Sequence, residues 1–267
     1  MAWEYSSFEK SEVKGRVAAA LFAVTWAVLP GFGVIDLSVT VNPTSEWRGA
    51  VPVNAGWGLL TTLLIGGAFV WTALRPRQFV VAAVQLVVAA VALVVSAVVG
   101  SESGAFVLGA LVLIELAVPA TLLPHGAPAG LSIGVSWPLA ATAALGAGPW
   151  LAYAGDMWSA NREGRAPEEI TIGINHWAVQ GGLALTIALL GAVVALWPPG
   201  RRFIGVSTAM VATYLGVCSY RFPDGAGAFD RTWSALSVAW GVALAVLVLT
   251  TSHTSAPERQ ALPGSGS

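Results

Sequence analysis

Eight stretches of the chain stay apolar for about the 20 residues that a helix needs to cross a bilayer core. They are 16–37, 54–74, 79–100, 104–123, 131–154, 174–197, 202–220 and 231–251. The third, FVVAAVQLVVAAVALVVSAVV, is broken only by Gln85 and Ser96. No alternation of period two runs through these stretches, so a barrel is not expected and helices remain the way to satisfy the backbone in lipid. The pattern predicts an all-α polytopic membrane helix bundle of about eight transmembrane helices, with 1–252 as a single transmembrane domain. The first stretch follows Lys10, Lys14 and Arg16, as a signal peptide would. It is long enough to span and no small-x-small cleavage site follows, so it reads as the first transmembrane helix. The polar, Pro/Gly/Ser-rich segment 253–267 is expected to be a disordered cytoplasmic tail.

The connections echo one another. Asp36 and Asp156 close the first and fifth stretches, and Trp57 and Trp177 open the second and sixth, each pair 120 residues apart. LRPRQF at 74–79 parallels WPPGRRF at 197–203, and SESGAF at 101–106 parallels PDGAGAF at 223–229. Two readings stand. One is a parallel 4+4 internal repeat with halves 15–123 and 131–252 and an axis along the membrane normal. The other is coincidence, since any eight-helix chain with short loops on one side shows such echoes.

Composition agrees with lipid as the solvent. Of 267 residues 56% are hydrophobic and 10% charged, against roughly 25% charged in soluble domains. A net charge of -1 provides no basic field for nucleic acid. Eight Lys and Arg fall on the side of the termini and five on the other, which places both termini in the cytoplasm by the positive-inside rule. Trp47, Trp57, Trp150, Trp158, Trp177 and Trp233 fall near one predicted interface, and Trp71 and Trp197 near the other, as an aromatic belt would.

Candidate chemistry concentrates at GDMWSANREGRAPEEITIGINHWAVQ, residues 155–180. Asp156, Asn161, Arg162, His176, Trp177 and Gln180 there supply charges, donors and ring faces for a ligand site. Asn175 or Thr171 is placed to cap the sixth helix, and His176 and Gln180, four apart, share a face. The competing reading is a solvated loop folded over the bundle by ion pairs and a Trp anchor. Glu115, with no charge within ten residues, is a candidate proton or cation coupling residue. It is equally readable as a neutral carboxyl bonded to a neighbouring helix through Gln85, Thr213 or Tyr214. Asp36 is a second coupling candidate. As a helix-ending acid it opposes the macrodipole, and pairing Asp36 and Asp156 with Arg48, Arg162, Arg221 or Arg231 would resolve that.

The sequence recommends no catalytic residue. Both lysines precede the first span, so a retinal Schiff base has no partner, and no HExxH, Walker or aspartate-rich motif occurs. The single cysteine, Cys218, and the scattered His125, His176 and His253 make no metal set. No metal or other cofactor is expected.

The segment MWSANREGRAPEEITIGINHWAVQGGLAL at 157–185, followed by PPGRRFIGVS and AWGVALAV, resembles uncharacterised actinobacterial multi-pass integral membrane proteins. NRxGRxP…INHWAVQ is its specific part. The resemblance implies a plasma-membrane location and carries no activity or site. The sequence thus leads to small-solute binding or transport through an outward-facing polar site, the partners being the lipid bilayer and a small solute. The alternative is a non-catalytic scaffold that docks a membrane protein partner through 155–180.

Overall fold

The computed structural model describes residues 2–28, 32–44, 46–123 and 133–251, with side chains from residue 10 onward. Pro30, His125, His253 and the 253–267 tail lie outside the described residues. The helices are α1 (Ala2–Ala27), α2 (Gly33–Val41), α3 (Arg48–Leu74), α4 (Phe79–Val99), α5 (Ser103–Leu122), α6 (Trp137–Arg162), α7 (His176–Leu196), α8 (Arg201–Arg221) and α9 (Arg231–Thr251). A two-residue-stranded hairpin, β1 (Ile170–Thr171) and β2 (Ile174–Asn175), lies between α6 and α7. The fold is all-α, and six helices, α3, α4, α5, α7, α8 and α9, are long and apolar enough to cross a membrane. Their exposed faces carry Val87, Val98, Ile114, Val246 and Leu249 rather than charge, which marks a multi-pass membrane protein with lipid around it.

Two stretches differ from the hydropathy reading. The first stretch is two helices, α1 and α2, the second entered through Phe32 in a left-handed conformation (φ 51°). Asp36 therefore sits in the first turn of α2, where a carboxylate complements the macrodipole instead of opposing it. The fifth stretch does not end at 154, since α6 runs on to Arg162. Asp156, Asn161 and Arg162 are thus helical and not part of a loop.

α7 is the most enclosed span and α9 the least. α1 packs on α3 and α5, α3 on α4, and α4 on α5; likewise α6 packs on α7 and α9, α7 on α8, and α8 on α9. Between these groups α3 meets α7, α4 meets α8, and α4–α7 and α3–α8 cross-contacts close the bundle. Small residues permit the approach: a Cβ on Gly216 would lie 2.8 Å from the Ser234 carbonyl, and one on Gly241 would lie 2.8 Å from that of Ala209.

Most of the expected aromatic belt is interior. Trp57, Trp150, Trp158, Trp177 and Trp197 are buried, while Trp47 and Trp233 are exposed. The indoles of Trp158 and Trp177 point inward because they have acceptors there. Trp158 Nε1 donates to Ser96 Oγ (2.9 Å), and Trp177 Nε1 to the carbonyls of Arg165 and Pro167 (3.0 and 3.1 Å). A buried indole N–H needs such a partner.

Candidate functional site

The residues of the 155–180 segment separate into two groups. Asn161 Nδ2 donates to the Gly100 carbonyl (3.0 Å) and the Arg162 guanidinium to that of Val99. Both therefore serve the orphan carbonyls at the C-terminus of α4. That task explains why α6 stays helical through a polar stretch. Asp156 pairs with Arg165 at 3.3 Å rather than with any of the four arginines expected, and both side chains are about half exposed (57% and 43%). Solvent screens such a pair, so it contributes little to stability. Glu163 accepts from Ser159 (2.6 Å) and Arg165 (2.8 Å), which together hold its carboxyl below the usual range.

His176 and Gln180 go the other way, into the protein. Asn175 caps α7, its Oδ1 accepting from Trp177 N (3.0 Å), and this directs the next residue inward. His176 Nδ1 lies 2.9 Å from Asn54 Oδ1 and Nε2 lies 2.8 Å from Thr171 Oγ1. Because Asn54 Oδ1 only accepts, the neutral ring carries its proton on Nδ1 and takes the Thr171 hydroxyl proton on Nε2. The imidazole stacks on Trp57 with centroids 4.7 Å apart and planes at 16°. One turn further, Gln180 Nε2 donates to the Tyr153 hydroxyl (2.7 Å), which donates to the Gly227 carbonyl (2.5 Å). A Cβ on Gly56 would lie 1.3 Å from Gln180 Oε1, so only glycine leaves room for this amide.

Thus α3, α6, α7 and the hairpin meet in a buried polar node. Two of its amides are half-paired: Asn54 Nδ2 and Gln180 Oε1 are buried without a hydrogen-bond partner. Groups left in that condition cost free energy and need a reason. The hairpin lies over the node. Its turn, Ile172 and Gly173, has positive φ at both positions (48° and 81°), as a two-residue type I′ turn requires. A β-branched residue there is strained by about 1–3 kcal/mol. Glu102 ties the hairpin down, accepting from Asn175 N (3.4 Å) and from Gly104 N at the start of α5 (3.2 Å).

Acids gather beside it. Asp36 feels Glu169, and Glu169 feels Glu46. Burial first, then the Glu46 carboxylate, raises the Glu169 carboxyl above the ordinary range. The folded chain then binds a proton there more tightly than the unfolded chain does. The stability linked to that proton is full below the unfolded pKa and is lost as pH rises through the folded one. Glu169→Gln is expected to flatten this dependence and raise the melting temperature at neutral pH. Superimposable Tm–pH curves for the two proteins would refute it.

Glu115 stands apart. It is buried, and its Oε2 accepts from Trp26 Nε1 at 2.5 Å across α1 and α5. The partner is neither Gln85, Thr213 nor Tyr214. Gln85 instead donates to the Leu64 carbonyl and accepts from Ser207, both at 2.8 Å. Glu115→Gln keeps an acceptor for the indole and should leave stability nearly unchanged, whereas Trp26→Phe strands the carboxyl and should cost about 1–3 kcal/mol. Thermal unfolding in detergent measures both, and equal losses would contradict the assignment.

Sequence reasoning does not mark Asn54 or Tyr153 as site residues, and it marks Thr171 only as a cap. The available signal was Asn54 itself, an amide at the head of an apolar run. Among the described residues, no three His, Cys, Asp or Glu are placed to hold a metal ion. No protein family, curated protein or solved structure matches the chain.

Proposed function

We propose that this chain is an eight-span plasma-membrane protein that binds a small polar solute between the ends of α3 and α7, as a step in its passage. The carrying observation is the node around His176, where Asn54 Nδ2 and Gln180 Oε1 are buried yet unpaired. A solute offering an acceptor to the first and a donor to the second would complete both amides. Asp36, Glu46 and Glu169 at the same place favour a neutral or cationic solute over an anion.

Two further features support the architecture of this reading. Lys10, Lys14, Arg16, Arg75, Arg77, Arg201 and Arg202 fall at the end opposite the hairpin, in keeping with cytoplasmic termini and an outward node. The helix contacts are consistent with two four-helix halves, α1–α5 and α6–α9, since each neighbouring pair in one half has its counterpart in the other. α4 and α8 are both 21 residues long, and each follows a 3-10 turn that opens on proline, Pro76 or Pro198. At the resulting offset of 122 residues, Gln85 and Ser207 are equivalent positions, and they bond to each other (2.8 Å). Polar partners between α3 and α7 and between α4 and α8 then line the seam between the halves, where parallel-repeat transporters place their substrates.

A second reading has its own observation. Ile170 and Ile172 are exposed on the hairpin (56% and 50%), a surface suited to docking a protein subunit. Native mass spectrometry of the protein extracted gently from its membranes separates the two. A small-molecule adduct that is lost in Asn54→Leu/Gln180→Met supports solute binding. A co-purifying subunit with no such adduct replaces that reading with a scaffold.

A further inference from the structure

A groove of about 740 Å³ runs between α6 and α9. It lies within the range of roughly 300–1,000 Å³ typical of small-molecule sites. Along α6 it extends from Thr142 to Asp156, about 21 Å at 1.5 Å per residue. That exceeds half of a hydrocarbon core of about 30 Å, so the groove is long and narrow, suited to a chain.

Its walls are largely aromatic, and the polar atoms of Trp240, Tyr153 and Ser237 are satisfied within the protein. Trp240 Nε1 donates to the Thr142 carbonyl (2.7 Å), the Tyr153 hydroxyl is engaged by Gly227 and Gln180, and Ser237 Oγ donates to Ala212 (2.8 Å). Trp150 meets Trp240 edge-on at 6.2 Å. A Cβ on Gly146 would lie 2.4 Å from Trp240 Nε1, so glycine there lets the indole lie back against α6. What the walls offer an occupant is hydrocarbon and ring surface. One end differs: Asp156, which also pairs with the half-exposed Arg165 (3.3 Å), and Asp230 line it together with Trp233, which is exposed (48%). Carboxylates beside an open indole face are the chemistry that recognises an ammonium group, by charge and by cation–π attraction.

We infer that this groove is a specific site for an amphiphile with an ammonium head, such as an aminophospholipid, its chain between α6 and α9 and its head at Asp156, Asp230 and Trp233. The groove shares Tyr153 with the His176 node, but the inference does not depend on the function proposed for that node.

The test is native mass spectrometry of detergent-purified full-length protein titrated with palmitoyl-oleoyl phosphatidylethanolamine or, separately, phosphatidylglycerol. One phosphatidylethanolamine adduct is expected to form at concentrations about tenfold lower than the phosphatidylglycerol adduct. Asp156→Asn/Asp230→Asn should erase that preference, and it keeps the acceptor with which Asp230 caps Trp233 N (2.8 Å). Ala239→Trp, at a lining position, should fill the groove and remove the adduct for both lipids. Melting temperatures close to wild type establish that the variants fold. Equal affinity of the wild type for the two lipids overturns the head-group assignment. Adducts that survive Ala239→Trp in a folded protein are annular lipid and overturn the site.

Discussion

His176→Ala is expected to be the most costly change at the node. It strands the buried Asn54 amide, takes away the partner of the half-buried Thr171 hydroxyl and removes the ring stacked on Trp57. Each stranded group costs about 1–3 kcal/mol, so a loss of several kcal/mol in total is anticipated. The same physics predicts that the cost is not additive. Asn54→Leu alone leaves His176 Nδ1–H without an acceptor, but combined with His176→Leu it leaves no mismatched polar partner between α3 and α7. The double variant should therefore be more stable than the two single losses predict, with a coupling of about 0.5–3 kcal/mol. Unfolding of the four proteins in detergent measures this, and strictly additive losses would mean that the two side chains do not act as a pair.

The second large effect is expected at Gly241. A side chain there meets Thr213 Oγ1 at 2.3 Å and the Ala209 carbonyl at 2.8 Å, while Gly216 on the facing helix is as tightly placed against Ser234. Neither backbone can yield without separating α8 from α9. Gly241→Val should cost about 1–3 kcal/mol or more by overpacking. Gly155 in α6 is exposed and has open space where a Cβ would sit, with nothing within 4 Å, so Gly155→Ala should instead stabilise by about 0.5–1 kcal/mol through helix propensity. Opposite signs for two glycine substitutions in the same bundle are a strict expectation. A destabilised Gly155→Ala, or a neutral Gly241→Val, would contradict these helix contacts.

The helices are legible in the sequence because lipid demands long apolar runs and the chain provides them. What hydropathy misses shares one cause: polar residues that stay helical or buried because a distant backbone or side chain satisfies them. Asp156 to Arg162 read as loop because their service to the end of α4 depends on Val99 and Gly100, some sixty residues earlier. Trp57 and Trp177 read as interface anchors because a tryptophan near a helix end usually is one, and nothing local reveals that His176 or the Arg165 carbonyl awaits them. Within the site, His176 and Gln180 are legible as a pair by their spacing. Asn54 does not join them in the sequence, since its partner lies 122 residues away. Asp36 reads as the end of a helix rather than its start because the break before α2 leaves only a faint trace in composition.

One stretch of α3 sets the geometry of all of this. From Leu59 to Gly66 the helix is wound as a π-helix, and the Gly67 amide reaches back five residues to Thr62. A π turn carries one residue more than an α turn, so this stretch works as a rotary spacer between the two ends of α3. Rewinding this stretch to 3.6 residues per turn without changing its length would turn the segment before it by about 100°. Asn54 and Trp57 would swing away from His176 with no change in their own chemistry. The direction in which α3 presents Asn54 and Trp57 is therefore written in the winding of the helix that follows them.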